Sequence, residues 1–126
     1  MNILLWVLQV LFGLYFLAIG IMHFIVPEGL PAQMEWMYSL STPLHYVSGT
    51  AEILGGLGLI LPGLTRIQPR LTTWAALGLA TVMILAIGYH VTRGELQNVA
   101  FNVVLALVTG FIAYGRAKLS PLAGRA

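Results

Sequence analysis

The 126-residue chain has no cysteine. That excludes disulfides, thiolate nucleophiles, iron–sulfur ligation and Cys-based zinc sites together. Charge is scarce as well. Asp, Glu, Lys and Arg make up 8% of the chain, against about 25% in a soluble domain. What replaces them is apolar: 59% of residues are hydrophobic and the mean hydropathy is +0.90. These values describe a membrane protein. The net charge of +2 and pI near 9.3 carry no nucleic-acid reading, because the six cations lie between and after apolar runs and form no basic patch.

Four apolar runs span about residues 2–26, 44–63, 71–91 and 96–115. Each is close to the ~20 residues that cross a ~30 Å hydrocarbon core. The first run resembles a secretory leader, with Ala18-Ile19-Gly20 as a small-x-small site. No Lys or Arg precedes it and it continues to Val26, so it reads as a retained helix. The expected architecture is all-α: a single domain over 1–126, folded as an up-down-up-down four-helix transmembrane bundle. Between the first two spans, residues 30–42 carry Met34, Trp36, Met37 and Tyr38, which predicts a short interfacial segment.

Small residues mark the packing faces. Gln9, Gly13, Phe16, Gly20 and His23 fall on one face of the first span. His45, Gly49, Glu52 and Gly56 share a face of the second. Such stripes let two helices approach closely. The blocks Leu17–Gly20 with His23 and Leu85–Gly88 with His90 also look alike, which suggests two equivalent hairpins.

Orientation follows from the cations. Arg66, Arg70, Arg116, Lys118 and Arg125 fall on the side of the termini, and Arg93 alone on the other. The positive-inside rule then places both termini on the cytoplasmic side.

That topology gathers the ionisable groups into one layer. Glu52 lies eight residues from Leu44, about 12 Å along the helix, where a carboxylate is costly. His23 and His90 end their spans at the same level, His45 begins one, and Asn98 and Asn102 open the last. The other half offers little beyond Gln9, Thr72, Thr73 and Thr109. Three readings of the layer compete. It is structural glue that fixes helix register. Alternatively it lines a pocket for a quinone or another small amphipathic molecule, with His and Glu exchanging protons with its head. Or His23, His90 and Glu52 hold a metal, although no HxxxH or ExxH pair supports it. Bis-His haem ligation by His23 and His90 ranks below all three.

The chain resembles the DoxX-like family of small bacterial membrane proteins, within the wider DoxX/DoxD group. The resemblance rests on Gly20-x-x-His23-Phe24, on Ala51-Glu52-Ile53-Leu54-Gly55-Gly56 with Leu61-Pro62, on His90, on Asn102 and on Tyr114-Gly115-Arg116. It implies a multi-pass integral protein of a bacterial inner (plasma) membrane. Some relatives are named as subunits of a quinone-linked thiosulfate oxidoreductase or of a membrane oxidoreductase complex. Others are associated with thiol handling, which a chain without cysteine does not perform unless a partner supplies the thiols.

The expected function is therefore binding of a quinone-type or other hydrophobic small molecule, as an accessory subunit of a membrane oxidoreductase. The expected ligand-binding residues are His23, His45, Glu52, His90, Asn98 and Asn102. The alternatives are a structural subunit without ligand, in a homo-oligomer or beside another membrane protein, and a small transporter. No nucleophile–base pair marks an autonomous enzyme.

Overall fold

The computed structural model describes residues 1–124; Arg125, counted above among the cations, lies outside the described residues. Helix α1 covers Asn2–Ile25, α2 Trp36–Ser39, α3 Thr42–Thr65, α4 Arg70–Thr92 and α5 Leu96–Tyr114, which runs into a π turn at Gly115–Leu119. A 3-10 turn, Ala32–Met34, precedes α2. The helices α1, α3 and α4, and α5 with its π turn, are long and apolar enough to cross a membrane. They carry their large apolar side chains outward as well as inward, with Ile3, Leu85, Leu96 and Leu107 among the most exposed. An apolar outer surface is what lipid as the solvent requires. The protein is a four-helix transmembrane bundle.

Helix α3 is central. It packs along α1 on one side and α4 on another; α4 packs on α5, and α1 meets α5 over a shorter stretch. Its glycines explain how one helix serves two neighbours. A Cβ at Gly56 would sit 2.6 Å from the Gly13 carbonyl oxygen, and one at Gly49 would sit 2.9 Å from that of Gly20. The α1–α3 seam is therefore a pair of reciprocal glycine contacts, as the sequence stripes predict. Gly55 and Gly58 face α4 instead, where an added Cβ would strike Leu79 and Ala75 at 2.5 Å. The suggested hairpin repeat finds no such echo. Gly20 is locked in the seam, while the space around Gly88 is open.

The α3 helix is longer than the expected 44–63 at both ends. Pro43 lies in its first turn, where a missing N–H breaks no helical bond. Pro62 lies inside it rather than ending it. Proline there removes the hydrogen bond to the Gly58 carbonyl. Two neighbouring helices supply replacements: Thr72 Oγ1 donates to the Gly58 oxygen at 2.9 Å, and Gln9 Nε2 donates to the Leu59 oxygen at 2.7 Å. Tertiary hydrogen bonds thus keep helical a segment whose local sequence signals a stop.

The half of the bundle that carries the termini is not as apolar as the sequence suggests. Arg116, expected in an exposed tail, is 3% exposed. The π turn swings its guanidinium inward. Nε donates to Gln9 Oε1 at 2.6 Å, and Nη1 donates to Asn2 Oδ1 and the Ser120 carbonyl at 2.8 Å each. Trp6 lies beside it, 5.6 Å from ring centroid to Cζ. The charge is spread over neutral acceptors from α1 and its own turn, and it fastens the last helix to the first.

Candidate functional site

The opposite, distal end of the bundle holds the α1–α3 connection and the α4–α5 turn. Tyr38 shapes the first of these. Its hydroxyl donates to the Pro27 carbonyl at 2.8 Å and accepts from the Leu30 N–H at 3.1 Å. That clamp folds α2 back over the bundle, burying Met37 and setting Trp36 against both His23 and His90, at ring-centroid distances of 5.9 and 5.2 Å.

Beneath Trp36 lies a cavity of about 210 Å³. All four long helices contribute to it. Tyr15, Phe16 and His23 come from α1, and Ser48 and Glu52 from α3. Met83, Tyr89 and His90 come from α4, and Asn102 and Leu105 from α5. Most of the wall is apolar or aromatic, with a few convergent polar groups, which is the usual make-up of a small-molecule site. On one side the rim consists of Leu44, Val47 and Leu85, all exposed on the apolar surface of the bundle.

The glycine seam sets the polar geometry. Gly20 and Gly49 in contact bring the distal ends of α1 and α3 together. His23 Nδ1 then lies 2.8 Å from His45 Nδ1, and His45 Nε2 lies 2.7 Å from the Met37 carbonyl oxygen. On its other edge His23 Nε2 faces Glu52 Oε2 at 3.5 Å. Neither of those two atoms has a hydrogen-bond partner, and neither has the Tyr89 hydroxyl, although all three are buried. Buried polar atoms are normally satisfied, so three open ones around a single cavity are unusual.

His90 is held from the other direction. Its Nδ1 lies 2.9 Å from Glu95 Oε1, which also accepts from Arg93 Nε at 3.0 Å. Burial pushes the Glu95 carboxyl up, but the hydrogen bonds from His90 and Arg93 and their charge outweigh it, so it sits below the ordinary glutamate range. A carboxylate that accepts from Nδ1 fixes the ring orientation.

The sequence-predicted residues therefore divide. His23, Glu52, His90 and Asn102 line the cavity. His45 stands behind His23 and reaches the cavity only through it. Asn98, one turn nearer the end of α5, is half-buried and is not part of the wall. Among the described residues no group of three His, Asp or Glu side chains is placed to hold a metal ion.

Tyr15, Trp36 and Tyr89 are wall residues outside the expected ligand-binding set. Tyr15 is legible in retrospect, since Tyr15, Ile19 and His23 recur every four residues along one face of α1. Trp36 is not, because its position depends on the Tyr38 clamp.

No curated protein and no solved structure matches the chain. A family does. Residues 7–112 match the DoxX-like family, a stretch that takes in the seam, the cavity and every polar residue of its wall, and the chain belongs to that family.

Proposed function

We propose that the distal cavity binds a small amphipathic molecule of quinone type, with its polar head between Glu52, His23, Asn102 and His90. The observation that carries the reading is the set of open polar atoms. A network serving only as glue would close on itself, whereas His23 Nε2 and Glu52 Oε2 stop 3.5 Å apart without a hydrogen bond and the Tyr89 hydroxyl is buried without a partner, all on residues that line one cavity. A ligand carbonyl or hydroxyl satisfies them. The apolar rim of Leu44, Val47 and Leu85 suits entry from the bilayer. From Ala51 the cavity adjoins a shallow apolar groove between α3 and α4, lined by Gly55, Gly58, Ala75 and Gly78, which suits a hydrocarbon tail.

The same reading takes the protein as an accessory subunit that presents such a ligand to a membrane oxidoreductase. Among the described residues no Lys, Arg or acid is placed to continue a polar path past Thr109 toward Arg116, which argues against a transporter. The described cations Arg66, Arg70 and Lys118 are exposed on the side of the termini. Their position supports cytoplasmic termini and a cavity in the outer half of a bacterial inner membrane.

A photoreactive short-chain benzoquinone in proteoliposomes tests the site. Labelling of α1 around Tyr15–Ile19 and of α4 around Val82–Ala86, competed by unmodified quinone, is the expected result. Labelling spread over the exposed faces without competition removes the reading.

A further inference from the structure

His45 is buried and does not line the cavity, yet it is hydrogen-bonded to His23, which does. Its role follows from counting hydrogens. The Met37 carbonyl only accepts, so His45 Nε2, 2.7 Å away, carries a hydrogen. Between the two Nδ1 atoms, 2.8 Å apart, one ring donates and the other accepts. If His45 is neutral, its Nδ1 accepts and His23 Nδ1 donates. The remaining proton then lies on Glu52 or on His23 Nε2. If His45 is an imidazolium, it donates from Nδ1 as well, His23 turns its Nε2–H toward Glu52, and Glu52 is a carboxylate.

These three arrangements hold the same number of protons and the same net charge of zero. They differ only in where one proton sits: on Glu52, on His23 or on His45. Net neutrality is the resting condition that burial favours, because among the described residues Glu52 has no Lys or Arg as ion-pair partner.

We propose that Glu52, His23 and His45 form a relay that shares one proton and delivers it to the polar head of the cavity's ligand. The proposal rests on the ligand-binding reading above. In the delivering direction, His45 Nδ1–H breaks as His23 Nδ1 takes its proton, while His23 Nε2–H breaks in favour of Glu52. Once a partner oxidoreductase has delivered electrons to the quinone, Glu52 gives its proton to the reduced ligand's oxygen, leaving both rings neutral and the carboxylate charged until one proton is taken up again. His45 keeps its hydrogen bond to Met37 throughout. The 3.5 Å separation of His23 Nε2 and Glu52 Oε2 is the one long link, and the relay requires the carboxylate to turn toward His23 for the proton to cross it. His45 is thus a positioning residue that acts through His23. The other titratable groups facing the site are Tyr15 on α1, and Tyr89 and His90, with Glu95 behind it, on and after α4.

Nitrogen-15 NMR of histidine-labelled protein in micelles, without ligand, tests the relay. The expected spectrum shows His45 protonated at Nε2 and a scalar coupling between the two Nδ1 atoms. On pH titration both rings move through one shared midpoint. Glu52→Gln then moves that midpoint in both rings together, although it lies two links from His45. A bare Nε2 at His45, separate midpoints, or a response to Glu52→Gln confined to His23 overturns the relay. Because no ligand is present, this outcome is independent of the photolabelling. A coupled pair of rings in a protein that fails to take up quinone would refute the ligand, and uncoupled rings in a protein that does would refute the relay.

Discussion

Gly49→Ala is a one-carbon change whose consequence can be worked from the seam. The added Cβ would lie 2.9 Å from both the Gly20 carbonyl oxygen and His23 Cβ, and 2.7 Å from Phe24 Cε2. The Phe24 ring can turn aside. The Gly20 backbone cannot, so α1 and α3 must part by about 0.5 Å to restore ordinary contact. Overpacking of this kind costs roughly 1–3 kcal/mol. The same displacement stretches the 2.8 Å His23–His45 contact beyond good hydrogen-bond length, a further loss of about 0.5–1.5 kcal/mol. Against this, alanine favours a helix over glycine by up to about 1 kcal/mol. The expected net is a destabilisation of about 0.5–3.5 kcal/mol. Equilibrium unfolding in mixed micelles measures it, with Gly88→Ala as the control. Gly88 has open space around it, so that change is expected to be neutral or slightly stabilising. Equal stability of Gly49→Ala and Gly88→Ala would refute the seam as the element that sets the site.

Two more perturbations probe the ends of the bundle. Arg116→Met leaves Gln9 Oε1 and Asn2 Oδ1 without their donor, and a loss of about 1–3 kcal/mol in the same unfolding assay is expected. Arg116→Lys should recover only part of it, because an ammonium cannot reproduce the guanidinium fork. Acid should loosen the distal turn. A carboxyl held below its ordinary 4.5 contributes stability above that pH and loses it as the pH falls through the lowered value. Amide protection factors at Gly94–Asn98, corrected for the intrinsic pH dependence of exchange, are therefore expected to fall below pH 4.5, and to be insensitive to pH there in Glu95→Gln.

The sequence made the transmembrane runs, the packing stripes and the polar layer readable for one reason. In lipid, glycine and ionisable residues are too consequential to be placed at random, so their spacing reports contacts. His23, Glu52, His90 and Asn102 were reached from helix order and level alone. What stayed hidden depends on backbone detail. Pro62 reads as a stop, and only Thr72 and Gln9, on two other helices, keep the chain helical through it. Arg116 reads as a tail cation, and only the π turn brings it inside. The cavity itself depends on Trp36, whose place is set by a tyrosine bonding back across the connection.

Of all these measurements, a paired titration bears most directly on the cavity as a binding site. Purified wild-type protein and Glu52→Gln are each titrated with a short-chain benzoquinone, following quenching of Trp36 in a background where Trp6 and Trp74 are phenylalanine. Thermal unfolding is recorded on the same samples. Saturable quenching in the wild type and at least about tenfold weaker binding in Glu52→Gln, equivalent to about 1.4 kcal/mol, with unfolding unchanged, is the predicted result. Equal affinity in the two proteins, or loss of folded protein instead of loss of binding, would contradict it.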